Sequence, residues 1–496
     1  MTPLGNRIGP VGVMTPAVEA ATSFLKTAGV LLGLWVVLFV VGLALRVIPP
    51  ESGWLPGSAT SEETDADPEV ADALDAEVLL DAGASEETLA PDAGVVLVEV
   101  TPAVSPAASV ATHALCPEPA SAPSLAVLAV LGDARPEIVV GCGGEWQVLA
   151  FGSDALPGRV ARIVTPAGNA GLSPFAGAPA SLDFDADGHA DLALPFVRFG
   201  AGGATSGGGL YVLRASGWNV LGEVRALAPI ATAAVASGAI DANAGDDLVA
   251  VNQANPFARL PSEGWSFLGG ASPRRSAVLR TGTGARAVVT LDMDLDGFLD
   301  VAIASTDDGR VDLFFGDGTG TFPRRRSLDV ASAAGLAVGD LDGDGRADLV
   351  IEGATPSLVI AGPEAGLALV PLADAGALRG LEALDLDGDG KAEIVGFLPP
   401  RLVSLHRTEA GTYEAQTLIE LADPSFGVRR QLLVDLNGDG AREIVILGTR
   451  TEGTERALEL AIIASTERGL LALEAGAPIA DAPWVVEVPL PEAQPL

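Results

Sequence analysis

Asp340, Asp342, Asp344 and Asp348 occupy positions 1, 3, 5 and 9 of the stretch Asp340-Leu341-Asp342-Gly343-Asp344-Gly345-Arg346-Ala347-Asp348, and Gly345 stands at position 6. Oxygen ligands at odd spacing around a sharp glycine turn suit Ca²⁺, which takes 6–8 oxygens at about 2.3–2.6 Å. Four bare carboxylates this close repel one another, so without an ion the loop is expected to be strained or disordered. The full pattern, D-x-[DN]-x-D-G-x-x-[DE] followed by an aliphatic residue, occurs five times. The other copies are Asp183, Asp185, Asp187, Asp191; Asp292, Asp294, Asp296, Asp300; Asp385, Asp387, Asp389, Glu393; and Asp435, Asn437, Asp439, Glu443. Two degenerate copies lie between and before them, around Asp241–Asp247 and Asp133–Glu137, and neither keeps enough of the pattern to be assigned a metal.

The elements that must hold these loops follow from their spacing. The seven starts fall at 129, 183, 239, 292, 340, 385 and 435, a period near 50 residues. Strand signals at that period indicate a β-propeller. Each unit offers about four short apolar runs punctuated by Gly, Asp, Pro and Ser, as in Leu336–Val338, Asp348–Ile351, Ser357–Ile360 and Leu367–Val370. Position 2 of the intact loops is always apolar (Phe184, Met293, Leu341, Leu386, Leu436), and so is position 10. Ligands that alternate with apolar plugs belong between two strands with a buried face. Position 12 falls inside an apolar run, whereas an EF-hand loop joins two helices and ends there in a bidentate Glu. The expected fold is all-β: a seven-bladed β-propeller of four-stranded antiparallel blades.

On these motifs the chain resembles the FG-GAP and VCBS repeat family of integrin-alpha-like propellers, in a bacterial, membrane-anchored form. Gly316-Asp317-Gly318-Thr319-Gly320-Thr321-Phe322 is similar to the end of a VCBS repeat, and Asp191–Pro195 with Gly209–Leu213 to an FG-GAP blade that lacks its Gly-Ala-Pro. The resemblance implies that the motif lies in the turn between the first and second strands of a blade and binds Ca²⁺, giving about five sites. It also implies that position 7 adds a backbone carbonyl: His189, Phe298, Arg346, Lys391 and Ala441.

The rest of the chain sets the context. Thr27–Leu45 carries no charge, and about 19–20 residues at 1.5 Å rise span a hydrocarbon core of ~30 Å. A cleaved signal peptide is the rival, but its apolar region runs about 7–15 residues and ends in a small-residue site. Arg7 and Lys26 precede the run, and after Arg46 no Lys or Arg follows until Arg135. The expected order is a cytoplasmic segment 1–26, a transmembrane helix 27–48, a disordered Ala/Pro/acidic linker 49–110 and the propeller 111–496, periplasmic or extracellular. Within the linker, Val95–Val100 reads as a strand that docks on the propeller. Net charge is −36, which excludes a nucleic-acid partner, since phosphate binding needs clustered Lys and Arg. Cys116 and Cys142 fit no zinc spacing; they read either as a disulfide in an oxidising compartment or as two unrelated core residues.

No nucleophile, metalloprotease or P-loop motif accompanies the three histidines. His189 is accounted for by its loop, and His113 and His406 read as surface residues. The reading is therefore a binding protein and not an enzyme: a calcium-stabilised propeller that recognises a protein, glycan or envelope component, or else a structural scaffold with no ligand pocket of its own. In an antiparallel blade the first–second turns share one face. The long second–third connections, Arg198–Gly208 and Asn252–Gly264, would then lie on the other. They carry Arg198, Phe199, Phe257 and Arg259, with Trp265 just beyond, residue types enriched at binding hot spots.

Overall fold

The structure is a computed structural model. It describes residues 95–96, 112–117, 124–129, 135–142, 145–152, 157–164, 172–174, 178–199, 205–215, 221–228, 231–252, 262–372, 375, 378–408, 411–421, 426–440, 442–452, 455–466, 469–472 and 484–487. The expectations for segments 1–26 and 27–48, and most of the linker, lie outside the described residues. Among the described residues no helix is long and apolar enough to cross a membrane.

Seven sheets follow one another along the chain, and in each the first, second and third strands pair antiparallel in sequence order, while outer strands are added to blades 1, 6 and 7 from distant parts of the chain. Blade 4 is representative: Ala285–Leu291, Asp300–Ser305, Arg310–Phe315 and Arg324–Asp329, paired in that order. The sequence pattern explains the layering. Second strands such as Glu137–Cys142 and Asp300–Ser305 are buried along their whole length, because a blade is covered on both faces by its neighbours. Outer strands such as Arg324–Asp329 bury little and carry the arginines.

The apolar core is divided into seven clusters, and each is shared by two consecutive blades. One joins blades 4 and 5 through Met293, Leu313, Phe315, Leu349 and Ile351. Another joins blades 5 and 6 through Leu341, Leu358, Ile394 and Tyr413. The remaining five lie between blades 1 and 2, 2 and 3, 3 and 4, 6 and 7, and 7 and 1. First strands touch in succession around the ring, including Phe426–Val434 against Leu125–Leu128. The expected seven-bladed propeller is therefore present, and it is closed.

Both ends of the domain cross the seam. Blade 7 takes Phe426–Val434, Glu443–Glu452 and Glu455–Thr466 from the end of the chain. Its next strand is Thr112–Pro117, which pairs antiparallel with Ala457–Ala461. The hydroxyl of Thr112 donates to Glu459 Oε2 at 2.6 Å across 347 residues of sequence. In the other direction Trp484–Glu487 adds a parallel strand to the outer edge of blade 1, on Ala161–Val164. Val95–Val96 pairs parallel with Tyr413 and Glu414 at the outer edge of blade 6, so the strand expected in the linker does dock on the propeller. His113 lies in the closing strand and is 4% exposed, which corrects its reading as a surface residue. Burial lowers its pKa.

Cys116 and Cys142 form a disulfide with Cα atoms 6.1 Å apart. Cys116 belongs to the closing strand in blade 7, and Cys142 ends the second strand of blade 1. The bridge therefore staples the seam and does not merely fasten the entering chain. It closes 26 residues, worth about 3–4 kcal/mol on chain entropy. The Cys116→Ser, Cys142→Ser double variant should lose roughly that amount in urea unfolding. An unchanged midpoint would show that strand pairing alone holds the seam.

Candidate metal centres on one face of the propeller

All five intact loops join the first and second strands of their blades, at 183–190, 292–299, 340–347, 385–392 and 435–442. They share one face. The 3–4 turns come to the same face, since Gly270 N–H in blade 3 donates to the Phe184 carbonyl in the blade 2 loop at 2.7 Å. The loops are also tied to one another: the carbonyls of Asp183 and Asp340 accept N–H bonds from Asp246 (2.7 Å) and Ala392 (2.5 Å), the position 8 residues of the next blade's loop. Arg442, also at position 8, donates to the carbonyl of Asp385 at 2.6 Å.

Each loop is folded around its first carboxylate. Asp340 Oδ1 accepts from Gly343 N–H at 2.7 Å and Asp344 N–H at 3.2 Å, and its Oδ2 from Gly345 N–H at 2.7 Å. Asp385 and Asp435 repeat this cradle. The repulsion expected of bare carboxylates is thus partly met by backbone N–H groups. The glycine at position 6 is left-handed in every loop, with φ between 82° and 90°. Position 4 is left-handed too, a requirement the motif does not advertise. Gly343, Gly388 and Gly438 meet it freely, while Ala186 and Leu295 adopt φ 63° at a cost of about 1 kcal/mol each.

The position 9 carboxylate behaves differently from the rest. It is the first residue of the second strand and is buried in all seven blades: Glu137, Asp191, Asp247, Asp300, Asp348, Glu393 and Glu443. Asp348 accepts from Leu341 N–H at 2.9 Å and, beyond the end of the third strand, from Ala361 N–H at 2.7 Å. Asp300 does the same with Met293 and Gly316. Asp247, in the degenerate loop of blade 3, repeats it with Ile240 and Gly269. This carboxylate therefore has a role in the fold even in a loop without the other ligands. Burial pushes the carboxyls of Asp300 and Asp348 up to about 7, against their backbone hydrogen bonds.

The expected ligands converge to different degrees. One oxygen from each of Asp183, Asp185 and Asp187 lies within 4.8 Å of the others. The same holds for Asp340, Asp342, Asp344, for Asp385, Asp387, Asp389, and for Asp292, Asp294, Asp300. Asp292 Oδ1 and Asp294 Oδ1 are buried and accept no hydrogen bond, an arrangement that a cation would complete. Two loops already hold an arginine that comes from another strand. Arg214, in the third strand of blade 2, is ion-paired with Asp185. Arg324 places Nη2 2.7 Å from Asp294 Oδ2 and 3.6 Å from Asp296 Oδ2. Ala441 lies outside the described residues.

Sequence reasoning missed His406. It converges with Asp387 and Glu393, again with one ligand atom each within 4.8 Å. Only the pairing register reveals this, because His406 belongs to the third strand, Arg401–Arg407. The proposed ligand-binding set fares less well. Trp265 is 8% exposed and packs in the core between blades 2 and 3, so it is withdrawn. The blade 2 connection is shorter than expected, since strands Asp191–Phe199 and Thr205–Ala215 run into it and pair up to Phe199 and Thr205. Arg198 and Phe199 end the first of these strands, and Phe257 and Arg259 lie outside the described residues.

Residues 292–351 match the family model described as an FG-GAP-like repeat, running from the blade 4 loop into the second strand of blade 5. With the closed ring of seven sheets, this makes the protein an FG-GAP-repeat β-propeller. No curated protein matches the sequence. Among solved structures, one similar chain is from BBS1N in complex with ARL6DN, soaked with mercury: 11% identity, 73% of this chain, 99% of that chain, TM-score 0.42. Another is an Agrocybe aegerita lectin described as recognising non-reducing terminal N-acetylglucosamine: 16% identity, 68% of this chain, 80% of that chain, TM-score 0.34. Likeness at this level says nothing of what this chain binds.

Two outcomes are expected. Asp247→Asn leaves one oxygen where Ile240, Asp241 and Gly269 need acceptors, so it should cost about 1–3 kcal/mol in urea unfolding, equally with EDTA and with calcium. A loss seen only in calcium would assign Asp247 to a metal. In EDTA, the raised acids Asp300 and Asp348 stabilise the fold most fully below their unfolded value of 3.8, and this is lost as pH climbs through about 7. The melting midpoint should therefore fall between about pH 5 and about pH 7.5, and a rise would contradict the burial argument.

Proposed function

We propose that this protein is a calcium-binding propeller, anchored in a membrane by 27–48 and held outside the cytoplasm, whose task is recognition of a protein or carbohydrate ligand and not catalysis. The observation that carries the calcium reading is the convergence of three carboxylates in four of the five loops on one face, two of those oxygens being buried without a hydrogen-bond partner. Nineteen of the twenty side chains at positions 1, 3, 5 and 9 are carboxylates, and hard oxygen donors of this density suit Ca²⁺. The loops at 340 and 385 bring three carboxylates together with no arginine from another strand ion-paired to them among the described residues, whereas in the loop at 435 Asn437 Nδ2 donates to Asp439 Oδ2 at 3.1 Å and has to turn away. Those at 183 and 292 require Arg214 and Arg324 to give up Asp185 and Asp294. The recognition face would be the opposite one, reached by the ends of the second strands of blades 2 and 3 at Phe199 and Asn252. The second reading is a scaffold within a surface assembly, favoured by strands already added to the outer edges of blades 1 and 6.

Each occupied site stabilises by RT ln(1 + [L]/Kd), about 2.7 kcal/mol at a hundredfold excess over Kd. Calcium titration of the stripped protein should raise the melting midpoint by many degrees, with tight and weak classes of site. Arg324→Ala should move the blade 4 loop into the tight class. A midpoint indifferent to both EDTA and calcium, with no ion in elemental analysis, overturns the reading.

A further inference from the structure

One register position separates the blades: the third-strand residue opposite the position 9 carboxylate. In blade 4 Val301 faces Phe314, so Asp300 is followed across the pair by Phe315. The same step gives Ala150, Leu268, Ile360 and Ala464 in blades 1, 3, 5 and 7, side chains with nothing to offer a metal. Blade 2 has Arg214 there, next to the Leu192–Leu213 pair, and its guanidinium meets Asp185. A side chain at this position therefore reaches into the loop. Blade 6 has His406 there, next to the Ile394–Leu405 pair.

The imidazole is held for ligation. His406 Nε2 lies 2.9 Å from the hydroxyl of Ser404, which is fully buried. Nδ1 stands 3.5 Å from Glu393 Oε1, and once a cation takes the Nδ1 lone pair, Nε2–H is left to donate to that hydroxyl. An outer hydrogen bond of this kind is what fixes the tautomer of a metal-binding histidine. Two ligands at about 2.1 Å from a tetrahedral ion stand about 3.4 Å apart, close to the 3.5 Å found here. Glu393 is itself oriented by Leu386 N–H at 2.7 Å, and Asp387 supplies the third ligand atom.

We propose that the blade 6 site takes a borderline divalent cation of the Zn²⁺ class, through Asp387, Glu393 and the Nδ1 of His406, with the remaining position open to water. Imidazole suits zinc and its neighbours, whereas Ca²⁺ prefers oxygen alone. Asp387 belongs also to the triad with Asp385 and Asp389, so zinc and calcium compete for this loop while the other loops remain oxygen-only. The proposal rests on the reading of these loops as metal sites and adds a different metal at one of them.

The test uses the full-length protein, stripped of ions and dialysed against micromolar Zn²⁺ with millimolar Ca²⁺, with metal content read by elemental analysis and Co²⁺ absorption as a probe of geometry. The expected result is one Zn²⁺ per chain, lost in His406→Ala and in His406→Gln, each with an unchanged circular dichroism spectrum. Ser404→Ala should weaken zinc binding by roughly 10–100-fold. Retention of zinc by both His406 variants, or none in the wild type, overturns the proposal and leaves His406 as an ion-pair partner of Glu393. If the loops take up no calcium while the zinc count is one, the calcium reading fails and this one stands.

Discussion

A carboxylate buried at the head of every second strand is the interaction on which the blades depend. Leaving such a group without donors costs more than most packing contacts return, so the chain must deliver N–H groups to it. Position 2 of the loop delivers one and the residue beyond the third strand another, as seen at Asp247, Asp300 and Asp348. A single side chain thus fixes the first–second turn, the start of the second strand and the exit from the third. The apolar residue at position 2 is then driven into the seam with a neighbouring blade, where Phe184, Met293, Leu341 and Leu436 are almost fully buried. The repeated acidic motif is laid over this frame in five blades, and blade 3 keeps the frame without the full motif.

This division explains what the sequence could disclose. The period, the blade number, the face shared by the loops and the pairing of position 2 with burial are local regularities repeated many times, and all were legible. The disulfide was legible as one of two readings, and its purpose was not, because the partner strands of the seam are far apart in sequence. His113 and Trp265 were misread as well. His113 pairs with a strand from the other end of the chain, and Trp265, whose own strand pairs with its sequence neighbours, is buried by packing against blade 2 residues such as Phe184 and Leu210. His406 is the clearest case: nothing in its own segment marks it, and only the pairing of Ile394 with Leu405 places it against Glu393. The positive φ at position 4 was hidden because alanine and leucine fill it in two loops.

Charge follows the same architecture. The acids of the loops are concentrated on one face, and arginines meet them there in different ways: Arg214 and Arg324 from other strands, and Arg346 from within its own loop, 3.8 Å from Asp344. Arg214 and Arg324 each bring a positive charge from another strand onto a carboxylate of the loops in blades 2 and 4. The five loops therefore differ in their charge surroundings, although their motifs are nearly identical.

The closing strand has a consequence for how the molecule comes into being. Thr112 is made early, and its partner Glu459 is made 347 residues later. At a synthesis rate of about 5–20 residues per second, the wait is roughly 20–70 s. Throughout it, the flank of blade 1 that blade 7 will cover, with Leu125, Ile138 and Leu149, has no partner. Blades 1 to 6 can stack in order as they emerge, but the ring remains an open arc with apolar ends until blade 7 arrives. An interruption of translation in the last forty or so residues before Glu459 would therefore release not a smaller propeller but a sticky crescent.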